Sequence, residues 1–297
     1  MISPIQSVRA SKAPVRTLVE DQLPVLRGAF VAKRILQAVP VAVEVVKYGE
    51  GDDAVELMSF VFQFGRVRGL MPVHEVGAPI WPLYEGARQF GPGDVASFLA
   101  LSRKKRNQIK RYMVNLMRAN VPLPFEIVSV DNDYEAVVSR VRALKRLSEE
   151  IKLSEGQEIE VTVLAAPAHG AWCSHKGLLV FVPRDEVYYG DVAPREMLQP
   201  GETYLAKVIE VGDLVCASTK ALEADPWETM MIGEGSVRRA VILGRTSDGA
   251  YRVSFHPGVT GKATAPPLLS FHNNQEVMVK VLRVNREKRF ILGHIDG

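Results

Sequence analysis

A β-rich pattern about sixty residues long occurs twice in the C-terminal half of the chain and once more, interrupted, in the N-terminal half. The clearest copy begins at Gly156 with GQEIEVTVLAA, continues through HGAWCSHKGLLVFVPRDEV (169–187) and closes with PGETYLAKVIEVGDLVCASTKAL (200–222). The last copy reads GSVRRAVILGR (235–245), DGAYRVSFHPGVTGKATAPP (248–267) and NQEVMVKVLRVNREKRFILGHI (274–295). Gly156 falls on Gly235, and Gly170-Ala171-Trp172 on Gly249-Ala250-Tyr251, at a common offset of 79. A repeat of this length is one supersecondary unit, so it sets the architecture before any motif is weighed.

Each unit holds five short apolar runs bounded by Gly, Pro, Asp or Asn. Ile159/Val161/Val163 and Leu205/Lys207/Ile209 alternate with other residues at period two, as half-buried strands do. Five strands in sixty residues without a long helix suit a small Greek-key barrel or a β-sandwich, and composition does not separate the two.

The first unit starts at AVPVAVEVVKYG (38–49) and continues with AVELMSFVFQFG (54–65) and VRGLMPVHEV (67–76). Its last two strands return only at PFEIVSVDND (124–133) and YEAVVSRVRAL (134–144). About forty residues are therefore inserted between its third and fourth strands. That insertion contains GPGDVASFLALSRKKRNQIKRYMVNLMRAN (91–120), where Asp94 is a candidate N-cap and Ile109, Tyr112, Met113, Leu116 and Met117 recur at helical spacing. Arg103, Lys104, Lys105, Arg106, Lys110, Arg111 and Arg118 lie in this stretch with no acid between 103 and 118. The spacing predicts an amphipathic basic helix, either a solvated face or a contact for nucleic acid. A further helix is predicted from Thr17 or Asp21 to Gln37, with Leu23, Leu26, Phe30 and Ile35 on one face, and another near Ser139–Glu150. Residues 1–16 read as a basic arm that would lie along a partner.

Charge is unevenly distributed. Residues 1–150 carry 21 basic and 16 acidic side chains, residues 151–235 carry 6 and 14, and residues 236–297 carry 10 and 4. A polyanion is drawn to both ends and repelled by the middle. No apolar run approaches a membrane span, and the N-terminus lacks the apolar core of a signal peptide. Cys173 and Cys216 fall inside expected strands and read as buried free thiols of a reducing, cytoplasmic compartment.

The segments VFVPRDEV (180–187), KVIEV (207–211), STKALEADPWE (218–228), GAYRVSF, HPGVTGKA and VKVLRVNREKRFILG resemble the RNA-binding repeat of bacterial ribosomal small-subunit protein S-one. The resemblance implies tandem five-stranded OB-fold barrels in a mainly β chain. The implied plan is a basic arm and helix (1–37), a first OB-like barrel with a helical insertion at 78–120 and a linking helix (38–150), an acidic second barrel (151–232) and a basic third barrel (233–297). It also implies single-stranded RNA as partner, bound by stacking aromatics while cations track the phosphates. In the third unit the family positions fall on Tyr251, Asn285 and Arg289, with Phe255, His256, Lys262, Arg252 and Arg238 on or beside the same strands. Asp248 and Thr264 stand where another aromatic and a His are usual. The second unit offers His169 and Trp172 but has Pro183 at the His position, and the turn VGDLVCAS is too short for the Arg. The first offers Tyr48 and Asp131, with Pro72 and Glu135 at the remaining positions. The expected set also includes Arg103, Lys104, Lys105, Arg106, Lys110 and Arg111 of the insertion.

Catalytic signals are weak. Ser102-x-x-Lys105 matches a nucleophile pattern without companions, Asp131-Asn132-Asp133 reads as a strand-end turn, and the six histidines lack metal-ligand spacing. The reading is a non-catalytic RNA-binding protein acting in translation, needing no cofactor or metal. Its acidic middle barrel and N-terminal arm would dock on a ribosome or another protein complex. The other reading is a structural or assembly protein, in a phage-like setting, whose barrels bind proteins.

Overall fold

The computed structural model describes residues 22–49, 54–77, 95–190, 192–266 and 268–295. The basic arm 1–16, the start of the first expected helix and Asp94 lie outside the described residues. The chain is mainly β, with two closed five-stranded barrels and an N-terminal helix.

Helix α1 (Leu23–Val31) carries Pro24 in its first turn, where the missing N–H costs nothing, and buries Leu23, Leu26 and Ala29. Phe30 is on the exposed side, and the helix ends at Val31, six residues before the expected end. Lys33 takes a left-handed φ of 49°, and Leu36–Ala38 is already strand β1. The first unit continues with β2 (Ala42–Tyr48), β3 (Val55–Phe64) and β4 (Val67–Pro72). It then forms helices α2 (Val95–Leu99) and α3 (Arg103–Arg118), strands β5 (Leu123–Val130) and β6 (Glu135–Ser139), and helix α4 (Arg140–Glu150). Its sheet has six strands in the order β1-β5-β6-β4-β3-β2, which corrects the expectation of five in a closed barrel.

Pro40 explains the difference. In the second barrel the first strand pairs with the fourth through its N-terminal half and with the second through its C-terminal half. Here the same strand is interrupted at Val39-Pro40-Val41, since proline donates no ladder hydrogen bond. Its first piece, β1, keeps the pairing to β5, and its second piece, β2, the pairing to β3. The two edges of the sheet are thus joined by three residues of chain.

The second barrel comprises β7 (Glu158–Ala165), β8 (Gly170–His175), β9 (Leu178–Pro183), β10 (Thr203–Glu210) and β11 (Val215–Ser218), closed in the order β10-β11-β9-β8-β7. Short helices α5 (Arg184–Val187) and α6 (Pro194–Met197) connect β9 to β10. Tyr204, Ala206 and Val208 face its core, so Leu205, Lys207 and Ile209 alternate on the outer face, one residue out of step with the apolar stripe read from sequence. Cys173 is wholly buried, its thiol pushed up to about 12 by desolvation, and Cys216 is half-buried; both are free.

After α7 (Pro226–Thr229), the third barrel comprises β12 (Val237–Arg245), β13 (Tyr251–His256), β14 (Val259–Thr264), β15 (Glu276–Asn285) and β16 (Phe290–Ile295), again with order 1-2-3-5-4. Repetition reaches backbone detail. Gly156 and Gly235 enter the first strands at φ 83° and 81°, and their N–H groups donate to the Val208 and Val281 carbonyls. Each fourth strand carries a β-bulge against the fifth, at Val128, Ile209 and Leu282. Such bulges sharpen the coiling that lets a five-stranded sheet close.

Candidate nucleic-acid interface

Small barrels of this type present a ligand surface on their second and third strands. Residue alternation decides what each barrel shows there. In the second barrel Ala171, Cys173, Val180 and Val182 point inward, leaving Trp172, Leu179 and Phe181 outward. Trp172 and Phe181 are cross-strand partners with ring centroids 4.7 Å apart. Yet Trp172 is only 3% exposed, because Trp172, Leu179 and Leu164 join the apolar cluster of the first unit. Gly177, at the β8–β9 turn, sits so close to that unit that a Cβ would approach Gln37 and Leu147 at 3.0 and 3.1 Å. Trp172 is therefore glue between units here and shows no open face for a base. His169 remains exposed at the rim, 5.8 Å from the Phe181 ring.

The third barrel differs by one residue. Cys173 pairs with Val163 and Val180, whereas its structural counterpart Val253 pairs with Ile242 and Gly261. The offset is 79 on the first strand, 80 on the second and 81 on the third, so Trp172 corresponds to Arg252 and Phe181 to Lys262. Tyr251, matched to Trp172 in sequence, consequently faces inward, since a shift of one residue exchanges the faces of a strand. Its ring is 3% exposed, meets Phe271 edge-on at 5.5 Å and lies under the Arg245 guanidinium; the Phe271 N–H donates to its hydroxyl at 3.2 Å. Phe255 is likewise drawn into the core, and His256 is held half-buried with Nδ1 2.9 Å from the Pro257 carbonyl.

What the third barrel turns outward is a row running Arg252, Lys262, Leu292 and Arg283 across β13, β14, β16 and β15, exposed except for the half-buried Lys262. Lys262 and Arg252 are direct cross-strand neighbours, an arrangement of like charges that is unfavourable unless an anion compensates. Asp248 does so in part: it accepts from Lys262, and Lys262 with the Thr246 hydroxyl holds its carboxyl down at about 2. Beside this row, Phe290 is 39% exposed and Leu292 is 38% exposed, while Thr264 and His294 hydrogen-bond at 2.9 Å. Phe290 and Leu292 lie on the fifth strand, outside the positions that the repeat resemblance implies. The pattern Phe290-x-Leu292-x-His294 on a last strand was the available signal.

The family's Asn and Arg occupy the β15–β16 turn. Asn285 Oδ1 accepts from the Lys288 N–H at 2.8 Å, shaping the turn, and Arg289 adopts φ 50°. Arg289 pairs with Asp225 at 2.6 Å, while the neighbouring Arg286 donates to the Trp227 carbonyl at 2.6 Å. Asp225 also caps α7 through the Trp227 N–H at 2.9 Å, and the Trp227 indole donates to the Gly258 carbonyl at 3.0 Å. The turn is thus fastened to the linker between barrels. Arg238 is exposed and donates to the Met231 carbonyl at 2.8 Å.

The insertion contributes a second cationic surface. Ser102 caps the long helix by accepting from the Lys105 N–H at 3.4 Å, so the first and last members of the Ser-x-x-Lys pattern meet through a helix cap. Ile109, Met113 and Leu116 are buried, whereas Arg103, Lys104, Lys105, Arg106, Lys110, Arg111 and Arg118 are all exposed. None of the seven makes an ion pair with another described residue. Asp131 Oδ1 accepts from the Asp133 and Glu135 N–H groups, a strand-end turn. No group of three or more metal-ligating side chains occurs among the described residues. No helix among them is long and apolar enough to cross a membrane.

No protein-family model matches the sequence, and neither does any curated protein. Solved structures give partial likenesses. A chain of the a/eIF2alpha–aDim2p–rRNA complex from Pyrococcus horikoshii is similar over 25% of this chain and 48% of its own length, with 25% identity and a TM-score of 0.24. This chain therefore spans about half the length of that one. An uncharacterized protein from Methanocaldococcus jannaschii matches over 22% of this chain and 92% of its own, with 19% identity and a TM-score of 0.20. A multidomain protein with nucleic acid binding domains from Streptococcus pneumoniae matches over 89% of this chain and 73% of its own, with 8% identity and a TM-score of 0.20.

Proposed function

We propose that this chain is a non-catalytic RNA-binding protein of the ribosomal S-one-like type, holding single-stranded RNA on the outer face of its third barrel and along α3. The observation that carries the reading is the outward-facing pair of exposed Arg252 and half-buried Lys262 on strands two and three, bordered by Phe290 and Leu292. Cations can follow the phosphates there while an exposed ring accepts a base. The seven exposed cations of α3, which form no ion pair with another described residue, add a second basic surface in the first unit. The setting in translation, with docking through the acidic second barrel, is what the repeat resemblance favours. The second reading, barrels as protein-binding modules of a structural or assembly protein, is supported by the second barrel's own ligand face, which Trp172 seals against the first unit.

The test is a titration of the whole chain with a labelled oligouridylate at several salt concentrations. Binding should weaken with a slope of roughly −0.7 in log K per phosphate neutralised, and Arg252→Ser should lower that slope by about 0.7. Salt-independent binding, or none, would leave the protein-binding reading standing.

A further inference from the structure

A cleft of about 450 Å³ lies between α3 and the β7–β8 turn of the second barrel. Tyr112, Asn115 and Arg118 form one wall, and Ala165, Ala166 and Pro167 part of the other. We infer that this cleft is a base-binding slot for single-stranded nucleic acid, fed by the cations of α3. The inference rests on the RNA-binding reading and adds a second, composite site to it.

Three observations meet here. The first is helical phase: Lys104, Gln108, Arg111, Asn115 and Arg118 alternate spacings of four and three, so they form one stripe about 21 Å long. That stripe is wholly exposed and runs into the cleft, where Asn115 and Arg118 become lining residues. The second is fixation. Gly201 of the second barrel, at φ 89°, approaches the end of α3 so closely that a Cβ would lie 2.5 Å from the Ala119 carbonyl. The walls are therefore held at a set distance by backbone contact. The third is chemistry. The slot offers a half-exposed phenol ring, an amide able to donate and accept, and a guanidinium at its edge, and no carboxylate is among its described lining residues. Its volume falls within the range of small-ligand pockets, about 300–1,000 Å³.

An acidic peptide would also be drawn to the stripe, but its carboxylates would find one cation, Arg118, at the edge of the slot, and alanine, proline and leucine within it. A base, flat and apolar on its faces with polar edges, matches both walls, and its phosphates stay outside on Lys104, Arg111 and Arg118. Nucleic acid is the occupant the lining favours.

Oligouridylate affinity of the full chain, read by fluorescence anisotropy, decides the matter with Tyr112→Leu, Tyr112→Phe, Arg118→Ser and the third-barrel variant Arg252→Ser. Tyr112→Leu should weaken binding by about 5- to 150-fold, the range that stacking of one base supplies, with the salt slope unchanged. Tyr112→Phe should bind as wild type, and Arg118→Ser should lower the slope by about 0.7. Thermal melting of each variant checks that the fold is kept; should Tyr112→Leu fail to fold, photocrosslinking of the wild-type chain to the oligonucleotide takes its place, with an adduct at Tyr112 expected. Wild-type affinity in Tyr112→Leu alongside weakened Arg252→Ser would overturn the slot while sparing the third-barrel site. Wild-type affinity in both would overturn the slot and the RNA-binding reading together. Displacement of the oligonucleotide by polyglutamate at equal charge concentration, with Tyr112→Leu unaffected, would mark the cleft as a peptide site.

Discussion

The second and third barrels share strand order, entry glycines and bulges, yet they use the same face in opposite ways. On the second, strands two and three carry Trp172, Leu179 and Phe181, and the first unit covers them. On the third, the equivalent surface carries Arg252 and Lys262 and faces solvent. Net charge follows the same division: the acidic region surrounds the barrel whose ligand face is closed, and the basic region the one whose face is open. A shared fold therefore does not give a shared surface; the outward residues of two strands set what each barrel presents.

That contrast is most directly broken at Trp172. Truncating a nearly buried Trp leaves a cavity and removes the side chain that ties the second barrel to the first unit, so Trp172→Ala should cost about 3–5 kcal/mol of stability in chemical denaturation. The same change made on the third barrel, Arg252→Ala, should alter stability by no more than about 0.5 kcal/mol, since that side chain is exposed. Equal losses at both positions would show that the two faces are used alike.

A smaller effect is expected where the second and third barrels touch. Gly258 has φ 81°, and a Cβ there would lie 2.6 Å from the Tyr189 carbonyl, while Gly190 approaches Gly258 in turn. Gly258→Ala should destabilise the chain by about 1–3 kcal/mol through backbone strain and displacement of this contact. Limited proteolysis near α7 would report the loosened junction. Of similar size is the binding effect of Phe290→Ala, about 1–3 kcal/mol of oligonucleotide affinity if its exposed ring accepts a base. Tyr251→Ala should instead lower stability first, because Tyr251 is packed in the third core with Phe271 over it.

Much of this was legible in the sequence, and its failures have physical causes. Period-two alternation and the 79-residue offset revealed the repeats, and the position of Ser139 marked the start of α4, where its hydroxyl accepts from the Arg142 N–H. The apolar spacing of α3 foretold its buried stripe. The split first strand was less legible, because Pro40 interrupts the ladder without ending the pairing on either side. Tyr251 was misplaced because a loop one residue longer is invisible to a motif match yet reverses which side of the strand a residue faces. Trp172 was misjudged for a different reason. Its outward direction was compatible with stacking, but only tertiary packing reveals that another unit covers it. The α3 cleft needed two segments some fifty residues apart to meet, which no local pattern encodes.

A small effect is also expected at Arg289, and it sharpens the contrast at the strand four–five turn. In the second barrel that turn is short and carries no cation, whereas in the third it reaches the linker through Arg289 and Asp225. The Arg289 side chain is 52% exposed, so the pair is screened by solvent and its removal in Arg289→Ala should cost under about 1 kcal/mol, less at high salt. Asp225→Ala should cost more, about 1 kcal/mol beyond the pair, because Asp225 also caps α7 at the Trp227 N–H. A double-mutant cycle in chemical denaturation separates the two contributions. A coupling above about 1 kcal/mol would mean that the pair, and not the cap, fastens the turn. Arg289 would then be a structural tether withheld from any phosphate, and the cationic face of the third barrel would have to bind through Arg252 and Lys262 without it.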